Sequence, residues 1–532
     1  MSKKEIYIGL LLLCSGIIFA QGEMDAFRFS QTNLNGTARS MSMGGAFGAL
    51  GGDMSAMSHN PAGIGIYRSS EVQTTLNLNS AGAKATWDNI NSTSRKTNFD
   101  FDNFSYVGYF PTGQERGVKS WNIGLSFNRV MNFNRRYVAE GRPLYSMADY
   151  VASQATNAYG AGKGIPENDL IYVSGSYDPY NNNELPWLPI LGYESGFIGT
   201  KYNNLPSTYY SAFGQWEGND WRAYSPDRTT LRISESGSVD EYNFSLSTNI
   251  SDRIFLGATL AVTSIEYRMA SKHDEDFGDD YLYMDNSLET EGTGYSVNVG
   301  LIARPTDALR LGIAYNSPKW YRMTDYYIAE AGTSIAAYDQ PEMEGVTPEM
   351  AYTEYSLRTP GRWIFSAAGI IGNMALISAD YELKDYKTMF LSDREGYGYG
   401  ANSTISEDFG ISHTFRLGAE VKPSSQFAVR AGYVLETSPM KHALTSGEVE
   451  VLPVGTVTHY TTTNQANYIT LGLGYRFSPN FYMDLAYIHR TQKMNLYPFS
   501  NVYYSDPEPI QSNPAEISSV TSRFALTLGY KF

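Results

Sequence analysis

The chain has 532 residues, a net charge of −15, and 42 Tyr, 25 Phe and 49 Gly. Apolar residues reach 42 % while mean hydropathy is −0.33; an apolar skin over a wet interior gives that mixture, and so does a Tyr-rich secreted protein. No basic cluster is present to neutralise phosphates, so nucleic acid is disfavoured as a partner.

In chain order, residues 1–20 read as a signal peptide. Lys3 and Lys4 supply the charge, residues 6–18 the apolar stretch, and Ala20 before Gln21 the cleavage point. The stretch is too short to span a membrane with loops behind it. Cys14, the only cysteine, lies inside it, and bulky leucines precede it where a lipoprotein anchor expects small residues. The mature chain is then expected to have no disulfide, thiolate metal site or cysteine nucleophile. No later run of 18 apolar residues offers a helical span.

Residues 21–66 do not alternate. They are rich in Gly, Ala, Met and Ser, with Met43-Gly44-Gly45-Ala46-Phe47 and then His59-Asn60-Pro61-Ala62-Gly63. Small residues let backbone pack closely, and Asn before Pro favours a turn. This compact texture suits a plug folded inside a barrel.

From residue 67 onward the period is two. Tyr242, Phe244, Leu246 and Ile250 share a face opposite Asn243, Ser245, Ser247 and Asn249. Phe415, Leu417, Ala419 and Val421 alternate with Arg416, Gly418, Glu420 and Lys422. The pattern predicts strands over 67–82, 99–111, 118–131, 238–250, 254–267, 292–304, 309–322, 360–371, 375–386, 411–422, 427–436, 466–478, 480–490 and 519–532. The fold class is therefore all-β: a transmembrane antiparallel barrel of about 14 strands over 67–532, plugged by an N-terminal hatch over 21–66. Predicted connections alternate short (112–117, 251–253, 305–308, 372–374, 423–426, near Pro479) and long (83–98, 132–237, 268–291, 323–359, 387–410, 437–465, 491–518). Short turns on one side and long loops on the other is the outer-membrane pattern, and a soluble sandwich has no reason to sort its loops this way.

The largest loop, 132–237, is long enough for structure of its own. Pro143, Leu144, Met147, Val151 and Ala155 predict a short amphipathic helix. Its apolar run 185–191, with Trp187, Leu188, Ile190 and Leu191, is either the core of a folded loop or a capture surface for a hydrophobic ligand.

The stretch from Ala38 to Phe47, with Asp53, Ser55-Ala56 and Asn60-Pro61-Ala62-Gly63, resembles the N-terminal hatch of the FadL family. Gly294-Tyr295 to Leu301 with Pro305-Thr306-Asp307, Leu309 to Gly312 and Ser317-Pro318 is a second matching stretch. Arg416 to Glu420, Arg430 to Tyr433 and Ser438-Pro439 are a third. The end, Gly529-Tyr530-Lys531-Phe532, resembles the barrel assembly signal. The resemblance implies a passive outer-membrane channel for long-chain fatty acids or aromatic hydrocarbons in a Gram-negative bacterium. It implies a fourteen-stranded barrel with Asn60, Pro61, Ala62 and Gly63 in the hatch, capture by extracellular loops, and lateral release through a kinked third strand. Strand 118–131 is then the lateral gate, with Gly124 the candidate kink, although a glycine inside a strand equally marks tight packing. Outer-membrane lipid, a hydrophobic ligand and the barrel assembly machinery are the implied partners. A second reading on the same fold is a shuttle for secreted proteins, as in type IX secretion, with a secreted protein as partner.

Lumen-facing charges include Arg310, Arg416, Glu420 and Arg430. A salt-bridged network that anchors the plug accounts for them; alternatively one Arg receives a ligand carboxylate. The acidic run 274–280 reads as a solvated outer loop, with a weak divalent-cation site behind it. The six histidines show no metal-pair spacing, Gly160-Ala161-Gly162-Lys163-Gly164 lacks the phosphate-loop pattern, and no G-x-S-x-G occurs. No enzyme, metal or cofactor is expected.

Overall fold

The computed structural model describes residues 21–532 except 183, 201–206, 219, 338–340, 349–350, 373, 453–454 and 503–509; the expected signal peptide lies outside the described residues. Fourteen antiparallel strands close into a barrel. They are β1 (Glu71–Trp87), β2 (Ile90–Pro111), β3 (Val118–Asn132), β4 (Arg228–Ile250), β5 (Ile254–Phe277), β6 (Asp280–Ala303), β7 (Leu309–Asn316 and Trp320–Ser334), β8 (Ala351–Arg358 and Arg362–Ile371), β9 (Ala375–Asp385), β10 (Ile411–Val421), β11 (Phe427–Glu436), β12 (Tyr460–Arg476), β13 (Phe481–Tyr497) and β14 (Ala515–Lys531). β1 pairs with β2 on one side and with β14 on the other, Glu71 lying opposite Lys531. Closure removes the free edges that lipid could not satisfy. Both barrel ends and the short turns lie on one side, which makes that side periplasmic.

All fourteen predicted strands are present, but most run further outward than their alternation indicated. The expected loops 83–98 and 268–291 are instead long hairpins. The first turns at Asp88-Asn89, both at positive φ (47° and 67°), as a two-residue hairpin turn demands; the second turns at Gly278-Asp279. The acidic run 274–280 is therefore paired strand end and turn, not an open loop. Asp274 and Asp276 reach out to Arg232 (2.6 Å) and Arg228 (3.0 Å), and Glu275 points inward and is buried.

β5 shows why alternation misled at the outer ends. Near the periplasm Leu256, Leu260 and Val262 face outward and are exposed, while Thr259 and Thr263 are buried inside. Beyond Thr263 the faces exchange character. Ile265, Tyr267 and Met269 are buried inside, and Glu266 and Arg268 stand outside. The outer wall meets lipid below this level and water above it, and the lumen turns from polar to apolar.

β7 and β8 are each interrupted, at Ser317-Pro318-Lys319 and Thr359-Pro360-Gly361. Proline cannot donate to a ladder, and hydroxyls stand in: Lys319 N donates to Thr359 Oγ1 (2.9 Å) and Val297 N to Ser317 Oγ (3.0 Å).

The loop after β3 folds on itself. Helix α4 (Met147–Thr156) starts from Ser146, whose Oγ accepts from Ala148 N at 3.0 Å. Leu144, expected on this helix, precedes it and is exposed. Glu275 anchors the helix N-terminus, accepting from Ser146 Oγ, from Met147 N (3.0 Å) and from His273 Nε2 (2.8 Å).

Candidate functional site

The segment inside the barrel comprises α1 (Glu23–Ser30), α2 (Ala38–Ser42), α3 (Ala56–His59) and a 3-10 turn, Pro61–Ile66. Asn60, Pro61, Ala62 and Gly63 pack directly on the wall. Asn60 Oδ1 accepts from Ala62 N (3.2 Å) and its Nδ2 donates to Gly48 O (2.6 Å). Gly257 and Gly300 on β5 and β6 leave the space this turn fills; a β-carbon on Gly300 would press on Pro61 Cδ at 3.1 Å. Side chains complete the anchor. Arg39 Nε donates to Glu420 (3.1 Å), which also receives Arg430 Nε (2.6 Å), and Arg430 Nη1 reaches Asp484 (2.6 Å). Arg310 donates to Leu50 O. Arg416 pairs with Glu382 at 3.0 Å. Each of the four predicted lumen charges is thus already engaged, three in ion pairs and Arg310 with the hatch backbone.

Above the hatch the lumen is an apolar chamber. Ile265, Tyr267, Met269, Met323, Tyr355, Met389, Leu391, Phe409 and Met494 belong to its buried lining. Helix α1 is docked in it. Phe27 stacks on Phe409 (5.3 Å between centroids) and leans on Tyr386, and Phe29 meets Tyr267 and Phe133 edge-on. Glu23 at the start of α1 is buried, which pushes its carboxyl up to about 8, with nearby Asp408 adding to the rise. A small side cavity of about 40 Å³ opens beside α1, between Tyr327, Leu288, Val451, Leu452 and Val457.

The chamber floor is polar. A cavity of about 110 Å³ lies between hatch and wall, bounded by Phe29, Tyr386, Lys384, Glu382 and Arg416. Lys384 is buried, and its Nζ donates to Ser30 O (3.2 Å) and Tyr386 OH (3.4 Å). Among the described residues it forms no ion pair. Lys384 was not among the residues expected at the site, although Asp380, Glu382 and Lys384 alternate along one face of β9. Nor was Arg39, since residues 21–66 have no period that reveals which side chain faces the wall.

For the 185–191 run and for Gly124 the structure shows the packing alternative. Leu188, Ile190 and Leu191 lie in helix α5 (Trp187–Glu194) and are fully buried. They pack with Val151, Phe197, Leu282 and Met284 in the core of the loop domain, so they offer no exposed capture surface. Trp187 is only partly buried, its ring 5.1 Å from that of Tyr327. Gly124 lies in an unbroken ladder, opposite Val107 on β2 and Ser245 on β4. Its missing side chain makes room for the hatch, because a β-carbon would meet Met57 Sδ at 2.8 Å.

The third strand shifts register against β4 at its start, between Val118 and Ser120, and again higher up. β2 and β3 pair from Pro111 opposite Ser120 to Asn103 opposite Asn128, and there the ladder stops. β3 then bulges against β4 between Arg129 and Met131. A short strand, Arg135–Gly141, resumes pairing with β4. Among the described residues no backbone hydrogen bond joins 90–102 of β2 to 129–141.

A family model described as outer membrane protein transport protein (OMPP1/FadL/TodX) matches residues 258–532, more than half of the chain. No curated protein matches the sequence. Among solved structures, a Pseudomonas aeruginosa FadL homologue is similar at a TM-score of 0.53 and 14% identity, over 94% of this chain and 99% of that one. The toluene transporters TodX of Pseudomonas putida (TM-score 0.49, 12% identity) and TbuX of Ralstonia pickettii (0.47, 13%) are also similar, each over 94% of this chain and 99% of theirs.

Proposed function

The chain belongs to the OMPP1/FadL/TodX family of outer membrane transport proteins, and on that premise we propose that it admits hydrophobic small molecules bearing an anionic head, by diffusion. The observation that carries this reading is an apolar chamber whose floor holds a buried Lys384 that forms no ion pair among the described residues. A tail gains about 0.8 kcal/mol per methylene buried, and a carboxylate at Lys384 gains a charge-assisted hydrogen bond. Among the candidate head-group cations Lys384 is preferred to Arg416 and Arg430, which already hold carboxylates. Capture starts at the side cavity near Tyr327 and Leu452, α1 yields its place to the tail, and release is lateral, between β2 and β3. The hatch over 21–66 blocks straight passage to the periplasm, and a cleaved leader delivers the chain to the outer membrane.

Purified protein extracted for mass spectrometry tests this reading. A defined amphipathic acid in near-stoichiometric amount is the expected result. An empty barrel, or one holding only neutral hydrocarbon, overturns the anionic-head assignment.

A further inference from the structure

We propose that Arg129 is the latch of the β2–β3 seam, a side-chain bridge that holds the lateral exit shut and that the hatch controls. The inference rests on the lateral release proposed above and names the group that governs it.

Along their lower parts neighbouring strands of the wall share backbone hydrogen bonds. Here, over the upper half of β2, side chains alone cross the gap. Arg129 Nη1 pairs with Asp100 Oδ1 at 3.1 Å, and Asn132 Nδ2 donates to the other oxygen of Asp100 at 2.7 Å. Higher up, Ser94 Oγ donates to Arg136 O (2.6 Å), Ser92 Oγ to Val138 O (2.5 Å) and Lys96 Nζ to Glu235 O (2.7 Å). Of these links only Arg129 with Asp100 joins opposite charges. Arg129 is held in aim from the other side, its Nε donating to Asp240 on β4 at 3.0 Å. Arg129 keeps its place opposite Asp240, and the bulge leaves Val130 out of register with its carbonyl at the hatch, where it accepts from Asn33 N (3.0 Å) and Asn35 Nδ2 (3.3 Å). Hatch, bulge and latch are consecutive in space. Movement of 33–35, which continue from α1, withdraws the support of Val130 and lets the Arg129 head swing from Asp100. Outside the seam Phe99 and Phe101 are exposed to lipid, so a tail leaving the lumen meets apolar surface at once. A side-chain seam can part and reseal without tearing a ladder.

The test uses the whole mature barrel in lipid nanodiscs. Arg129→Met is expected to raise amide exchange over 98–103 and 129–134 at least fivefold, and uptake of a fluorescent dodecanoic acid by cells severalfold. Arg228→Met, which breaks an exposed pair outside the seam, leaves both unchanged. Parental exchange rates in Arg129→Met overturn the latch whether or not any cargo moves. Should that variant not assemble, Asp100→Asn carries the same expectation. A Ser94→Cys, Arg136→Cys disulfide across the seam separates the two readings. Uptake blocked by the disulfide and restored by reductant supports lateral exit. Undiminished uptake through the closed disulfide removes the exit itself, and the role of the latch with it.

Discussion

A β-carbon at Gly124 would press on Met57 Sδ and, at 3.1 Å, on Ile64 Cδ1. Replacing Gly124 with Val therefore pushes the Met57–Ile64 part of the hatch off the wall, away from residues 33–35, instead of narrowing an exit. Overpacking of this kind costs about 1–3 kcal/mol. The expected result is a lower temperature for loss of the compact, heat-modifiable form on a gel, with amide exchange at 98–103 unchanged. Equal thermal stability would mean that the hatch does not bear on β3. Lys384 makes the complementary case, in which charge and not volume matters. Lys384→Met keeps the chamber apolar and removes the cation. A hydrogen bond to a charged group contributes about 1.5–3 kcal/mol, so affinity for dodecanoate is expected to fall ten- to a hundredfold while dodecanol binds as before. Loss of both would point to a collapsed chamber. The inward aspect of Lys384 was legible in the alternation of β9. That it forms no ion pair among the described residues was not, because Arg362 and Arg416 take Glu382 from neighbouring strands.

At the scale of elements, the strands were legible where the lipid belt sets the pattern. Outward apolar and inward polar residues persist along β5 only to about Thr263, and the outer-facing residues then become charged while Tyr267 and Met269 turn the lumen apolar. A period of two continues, but its phase reverses, so a reading that follows one apolar face stops there. The same reversal places the chamber above the membrane-facing band, in the part of the wall the sequence presented as loop. Helix α1 was illegible for another reason. Its eight residues bury Phe27 and Phe29 against loops from across the barrel, contacts that no local period encodes. Its docking is expected to depend on pH. The Glu23 carboxyl has an ordinary value of 4.5 when exposed and about 8 when docked, so docking takes up a proton. That contribution is complete below about pH 4.5 and is lost as pH rises through about 8. A spin label at Gln31 should become more mobile between pH 6 and 9, and Glu23→Gln should flatten the change. Constant mobility in the parent protein would show that burial of Glu23 does not control α1.

For the whole molecule, the sorting of surfaces decides where the barrel can live. Its buried interior holds Asn103, Asn122, Asn243, Thr259, Thr470 and Thr527, while Phe244, Leu260, Leu311, Phe415, Leu471 and Phe524 are exposed. A water-soluble protein with that arrangement would aggregate; in lipid it is the low-energy state, since closed pairing satisfies the backbone along most of the wall. If the exposed apolar residues are a bilayer belt, the cost of a charge must follow depth. Leu471 lies in the middle of β12, flanked outward by Ile469 and toward the periplasm by Leu473, Tyr475 and Phe477, all exposed. Leu471→Arg is expected to lower the free energy of folding into lipid vesicles by about 2–4 kcal/mol, and Phe477→Arg, at the periplasmic rim, by about 0–1 kcal/mol. Penalties that do not differ between the two positions would contradict a membrane midplane at Leu471. A larger penalty at Phe477 would move the belt toward the periplasmic turns, carrying the seam at Asp100 and Arg129 out of the lipid and leaving a lateral exit with nowhere apolar to lead.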